Sequence, residues 1–128
     1  MGTFSSQLPL RTTKQVGDAA EDAALRYLTA QGLRLIVRNY RTPGRGGGEI
    51  DLIMSAPDGT TVFIEVRQRA SGRYGGAAAS IGRGKQRRII FAARHYLSRL
   101  SCEPPCRFDV LLLEPQGIEW LQAAFDAS

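Results

Sequence analysis

Two short apolar runs, Glu49–Met54 and Val62–Arg67, flank the turn signal Pro57-Asp58-Gly59 and set several charged side chains close together. A hairpin centred on Asp58 pairs Asp51 with Glu65, Glu49 with Arg67, Ile53 with Phe63, Ile50 with Val66, Leu52 with Ile64 and Met54 with Val62. Side chains in a strand alternate between its two faces. One face then carries Ile50, Leu52, Met54, Val62, Ile64 and Val66. The other carries Ile53 and Phe63 toward the turn and Glu49, Asp51, Glu65 and Arg67 at the open end. A slip of one residue destroys this separation. Directly opposed side chains have Cβ atoms about 4.5–5.5 Å apart, so Asp51 and Glu65 repel unless a cation lies between them. A hard divalent ion, Mg²⁺ or Mn²⁺, meets that need, because such ions are commonly held by one or two carboxylates together with waters and substrate phosphates. The plainer alternative is a solvent-facing sheet whose acids pair with arginines, but the neighbouring Ile53 and Phe63 mark this face as at least half covered.

The elements that must hold this hairpin follow from the rest of the pattern. Residues 1–16 lack a clear period and read as a flexible tail, leaving residues 17–128 as a single domain. Asp18-Ala-Ala-Glu21 reads as a capping box that opens a helix running to about Ala30, with Gly32 ending it. Leu33–Tyr40 is strand-like. A Gly/Ala/Ser-rich stretch from Ser71 to Gly84 leads to a second helix, Lys85–Leu100, and then to two short strands, Phe108–Leu113 and Ile118–Leu121. The order α-β-β-β-α-β-β predicts an α/β domain with a mixed β-sheet flanked by helices. Glu21 shares the stripe of Ala24, Leu25 and Leu28, so it admits two readings: third acid of the site, or partner in the capping box. On the second helix, Ile89, Ile90, Ala93, Tyr96, Leu97 and Leu100 form the apolar stripe. Gln86 falls inside that stripe and Lys85 at its edge, where a polar pair in the first turn can reach a site at the end of the sheet.

Charge points to the partner. The 128 residues carry 17 Lys and Arg against 12 Asp and Glu, a formal net charge of +5. The excess is concentrated: Arg67, Arg69, Arg73, Arg83, Lys85, Arg87, Arg88, Arg94 and Arg99 fall in one stretch that contains no acid. A solvated helix face does not explain that exclusion, and a surface for a phosphate backbone does. Gly44-Arg45-Gly46-Gly47-Gly48 lacks the lysine and hydroxyl of a P-loop and reads as a mobile loop facing nucleic acid, with Arg45 at its tip. Two cysteines and one histidine are too few for a structural zinc cluster. The single histidine and the serines show no hydrolase spacing, Cys102 and Cys106 read as free thiols, and no apolar run approaches the roughly 20 residues of a membrane span. With no secretory leader visible, the expected compartment is the cytoplasm.

From Gly17 to Phe125 the chain resembles the YraN-like uncharacterised family of bacterial proteins, assigned to the PD-(D/E)xK restriction-endonuclease-like superfamily. The resemblance rests on "GDAAEDAALRYL", "RNYR", "GEIDLI", "VFIEVRQR", "YGGAAASIGRGKQRRI", "RFDVLL" and "EWLQAAF", in that order. It implies a restriction-endonuclease-like fold and a nuclease-like site. Asp51 would supply the first motif acid, Glu65 the second, and Glu21 the helix-borne acid found in several nucleases of the superfamily. The motif lysine, two residues after Glu65, is replaced by Arg67. The expected activity is Mg²⁺- or Mn²⁺-dependent hydrolysis of phosphodiester bonds in DNA, branched or junction DNA included. Asp51, Glu65 and Glu21 would hold the metal; Arg67, Lys85 and Gln86 would complete the catalytic set. Arg45, Arg69, Arg73, Arg83, Arg87 and Arg88 would contact nucleic acid. Guanidinium stays protonated, so Arg67 could stabilise charge but not act as a base. A non-catalytic nucleic-acid-binding protein with the same fold is the alternative, an adaptor with a merely structural acid pair is a third, and dimerisation is left open.

Overall fold

The computed structural model describes residues 13–69 and 81–127, and its elements follow the expected order: α1 (Thr13–Ala30), β1 (Arg34–Arg41), β2 (Glu49–Ser55), β3 (Thr61–Gln68), α2 (Arg83–Leu97), β4 (Cys106–Glu114) and β5 (Gly117–Phe125). One five-stranded sheet has the order β1-β2-β3-β4-β5, antiparallel except for the β3–β4 pair. That parallel pair requires a crossover, which α2 supplies.

Helix α1 starts five residues before Asp18, so the Asp18–Glu21 capping box is corrected: both acids lie inside the helix, and residues 13–16 are helical. The extra turn has no apolar period to announce it. It carries instead an exposed ion pair at i,i+4, Lys14 Nζ to Asp18 Oδ2 at 2.9 Å. The other end is as expected. Gly32 adopts φ 102°, and the bonds from Gly32 N–H to Thr29 O (3.0 Å) and from Leu33 N–H to Leu28 O (3.1 Å) close a Schellman motif.

The hairpin register is as expected near the turn, where Leu52 pairs with Ile64, Ile53 with Phe63 and Met54 with Val62. Beyond Leu52 the ladder opens, and the pairings of Asp51 with Glu65, Ile50 with Val66 and Glu49 with Arg67 do not form. The cause lies in the neighbouring strand. Asn39 takes a left-handed backbone (φ 56°), which breaks the alternation of β1 so that Arg38 serves the α1 side and Tyr40 the α2 side. β2 follows it through the Arg38–Leu52 and Tyr40–Ile50 pairs. Ile50 therefore joins the cluster under α2, whereas Leu52 stays under α1, correcting the single apolar face drawn from strict alternation.

Each helix covers one face. Under α1 lie Ala24, Leu28, Leu33, Leu52, Met54, Val62, Ile64 and Leu111. Under α2, Ile89, Ala92 and Ala93 pack on Tyr40, Ile50, Ile53, Phe63 and Phe108. Full burial of one large aliphatic or aromatic side chain stabilises by about 1.5–3 kcal/mol, so these two layers fix the sheet between its helices. Ile81, buried with Val110 and Leu112, anchors the approach to α2 against β4.

Candidate functional site

The opening of the β2–β3 ladder builds the site. Where a backbone partner would stand, the Asp51 carboxylate accepts a hydrogen bond from the Val66 N–H at 2.8 Å. The Asp51 side chain thus replaces a ladder bond and is held at the edge of Glu65. Glu65 is almost fully enclosed, at 5% exposure. The two carboxyls share a hydrogen bond, and burial together with the Glu65 charge pushes the Asp51 pKa up to about 7, against the opposing pull of the Val66 N–H and the Lys85 charge.

Cations approach Glu65 from two directions. Lys85, in the first turn of α2, places Nζ 3.2 Å from Glu65 Oε2. Arg67, two residues along β3, stands at 3.8 Å from the same oxygen. The expected pairing of Arg67 with Glu49 is corrected: Glu49 pairs with Arg41 at 3.6 Å, because the β2 end that carries it has swung toward β1. Gln86 is engaged at the start of α2. Its amide donates to Ile81 O at 2.9 Å and braces the segment before α2.

Glu21 lies close enough to Asp51 for that charge to raise its pKa, second to the effect of its own burial, while hydrogen bonds from Arg38 and Asn39 pull it down. Its carboxylate is occupied by Arg38 Nε at 3.3 Å. Arg38 also binds Asp22 Oδ1 at 2.6 Å and donates to Asp18 O at 3.1 Å. The sequence reading missed Arg38, although three acids on the first helix and an arginine in the next strand were the signal for it. Among the described residues no group of three carboxylate, histidine or cysteine side chains gathers around one metal-sized point. The close pair is Asp51 and Glu65, with Glu21 adjacent.

The glycine loop is folded back rather than open at its base. Thr42 N–H donates to Gly48 O (3.1 Å) and Gly48 N–H to Thr42 Oγ1 (2.8 Å), and a Cβ on Gly48 would stand 2.0 Å from Arg88 O. Only glycine permits this approach of loop to helix. Between them lies a cavity of about 320 Å³ lined by Arg41, Thr42, Gly44, Gly47, Gly48, Glu49, Lys85, Arg88 and Ile89. Arg45 is exposed on the loop, and Arg83, Arg87 and Arg88 are exposed on α2. Arg69 is half-buried past the end of β3, its N–H on Leu113 O at 2.9 Å, away from the α2 arginines along the chain. Arg73 lies outside the described residues. Cys102 and Cys106 are free and exposed.

These features define a three-layered α/β protein, a sheet between two helices, with a carboxylate pair at a split in its sheet and a basic helix beside it. The model of the Uncharacterised protein family UPF0102 matches residues 20–113, and the chain belongs to that family. It is 74% identical over 116 residues to a UPF0102 protein of Albidiferax ferrireducens, covering 91% of each chain. Against a UPF0102 protein of Paracidovorax citrulli it is 66% identical, covering 91% of this chain and 86% of the relative. A UPF0102 protein of an Acidovorax species is 62% identical over 120 residues, with coverage of 94% and 91%. No helix among the described residues is long and apolar enough to cross a membrane.

Proposed function

We propose that the protein is a divalent-metal-dependent endonuclease of the restriction-endonuclease-like, PD-(D/E)xK class, acting on DNA. The observation that carries this reading is the Asp51–Glu65 carboxyl pair, which is held together by the Val66 N–H and faced by Lys85 instead of being separated. Burial and the neighbouring Glu65 charge disfavour ionisation of Asp51 in spite of the Val66 N–H and Lys85, a condition that a divalent ion relieves. The donor set suits Mg²⁺ or Mn²⁺, since two carboxylates leave coordination positions for waters and a phosphate oxygen. Asp51 and Glu65 would hold the ion, with Glu21 beside them. It would supply Lewis acidity toward water and phosphate.

The protein's own groups do the remainder. The Val66 N–H fixes one oxygen of the Asp51 carboxylate in place before a ligand arrives. Lys85 and Arg67 put positive charge beside Glu65, where negative charge would grow on a phosphate under attack. The exposed Arg87 and Arg88, with Arg45 on the glycine loop, supply sequence-independent contacts to the phosphate backbone.

A cleavage assay on linear, flapped and four-way-junction DNA, with Mg²⁺, Mn²⁺ or EDTA, tests this reading. Wild type is expected to cleave in metal and not in EDTA. Asp51→Asn and Glu65→Gln should lose at least about 10²-fold in rate while binding DNA as well as wild type or better, because each removes negative charge near phosphate. Reversing Arg87 and Arg88 to Glu should weaken binding and flatten its salt dependence, which for about five neutralised phosphates has a slope near −4.5 in log K against log salt. Unaltered binding without cleavage would favour a non-catalytic nucleic-acid-binding protein.

A further inference from the structure

The most exposed large apolar side chain among the described residues is Phe91, at 53%, on α2. It belongs to none of the three apolar clusters. A single exposed apolar residue ordinarily needs no explanation, but the surroundings of this one are unusual. Arg87, Arg88 and Arg94 are all exposed and stand at i−4, i−3 and i+3, the positions that share a helix face with Phe91. Residues 83–99 contain no acid, so nothing on this element neutralises that face. Gly84, two turns earlier on the same line, leaves the surface open: a Cβ there would meet only Arg88 Nη1, at 3.8 Å. Lys85, at the start of this helix, contacts Glu65. Six residues set Phe91 about 9 Å farther along the axis and about 240° around it, on the side of α2 away from the sheet-facing Ile89, Ala92 and Ala93.

We infer that Phe91 is a stacking platform for an unpaired base, held by its flanking arginines, so that the outer face of α2 engages single-stranded nucleic acid. Arginines that follow a backbone, with an aromatic ring between them, are the combination by which single strands are bound without sequence preference. A continuous duplex hides the faces of its bases within the stack and offers the ring nothing. The inference rests on the nucleic-acid reading above and names the state of the strand that this face selects.

The test measures binding of the full-length protein by fluorescence anisotropy at fixed salt to three probes: a 20-nucleotide oligothymidylate, the same backbone without bases, and a blunt 20-base-pair duplex. Wild type is expected to bind oligothymidylate about tenfold or more tightly than the base-free backbone. Phe91→Ala should erase that preference, and Phe91→Trp should retain or enhance it. Thermal melting confirms that both variants are folded, as an exposed site predicts. If wild type binds the probes with salt dependence but Phe91→Ala leaves the preference untouched, the stacking role is overturned and the nucleic-acid reading stands. If wild type binds none of them, both fall. If Phe91→Ala instead converts a dimer to a monomer in sedimentation with the preference unchanged, the ring is a contact between copies of this chain and the inference is overturned.

Discussion

Asp109 on β4 and Asp51 on β2 are both carboxylates drawn into the sheet, and their surroundings are opposite. Asp109 is fully buried and met only by donors: Arg107 Nε at 3.1 and 3.2 Å from its two oxygens, Trp120 Nε1 at 2.9 Å and the Ala123 N–H at 2.9 Å. Asp51 receives one backbone N–H and is pressed against a second acid. The first arrangement satisfies the carboxylate with four hydrogen bonds and leaves no lone pair for a ligand. The second withholds that compensation, and the unmet demand is what distinguishes a site from a scaffold. Even the local backbone follows this division. Ala123 is held at φ 52° in the irregular pairing of β4 with β5, where its N–H points at Asp109.

The comparison breaks most visibly when Asp109 is removed. Asp109→Ala strands the Arg107 guanidinium, the Trp120 indole N–H and the Ala123 N–H together, and loss of one member of such a buried charged set costs about 3–5 kcal/mol. The melting temperature is expected to fall by at least about 10 °C. Asp109→Asn, which keeps an acceptor, should lose less. A melting temperature within a degree or two of wild type for Asp109→Ala would erase the distinction between the two acids.

Asp51 should behave in the reverse way. Its pKa is raised in the folded state to about 7, so folding takes up a proton between about pH 4 and pH 7. The group's stabilising contribution is complete below its unfolded pKa and is lost as pH rises toward 7. Asp51→Asn keeps an acceptor for the Val66 N–H and removes the ionisation. It should therefore leave stability near that of wild type at pH 4 and raise it at pH 8, by up to about 4 kcal/mol. Paired melting curves at the two pH values check this. Mg²⁺ added at pH 8 should narrow the gap by raising wild type alone, and a variant less stable than wild type at pH 8 would count against the crowded pair.

Much of this was legible in the residues because hydrophobic patterning fixes what buries. The element order, the Gly32 stop and the register around Leu52–Ile64 all follow from periodicity and turn chemistry. The Asp51–Glu65 proximity was also legible, though for an incomplete reason. Strict alternation makes them cross-strand neighbours, whereas the strands part and a side chain-to-backbone bond holds them. No residue pattern announces the left-handed turn at Asn39 that moves Ile50 to the other face. The Glu49–Arg41 pair was hidden because its charges meet only after the chain has folded, whereas the extra α1 turn carries a local i,i+4 pair, Lys14 with Asp18, whose spacing the residues do show. Asp109 showed only as a lone acid in an apolar run, since its partners come from β4 and from β5, eleven and fourteen residues later.

The finest distinction lies within the site, between the two cations at Glu65. Lys85 Nζ is the closer, at 3.2 Å against 3.8 Å for Arg67, and it comes from α2, whereas Arg67 shares a strand with Glu65. Attraction weakens with distance, and both groups are partly exposed, so the difference between them is modest. Lys85→Gln is expected to lower cleavage by about tenfold, a single decade in rate. Because the Lys85 charge lowers the Asp51 pKa, its removal should also carry the acidic limb of the pH–rate profile to higher pH. Arg67→Lys keeps a point charge at the position where the resemblance places the motif lysine, and should retain or raise turnover. Arg67→Ala should cost less than Lys85→Gln and leave that limb in place. The opposite ranking, with the larger loss at Arg67 and an unmoved pH profile for Lys85→Gln, would make the arginine the operative cation and reduce Lys85 to an anchor between α2 and β3.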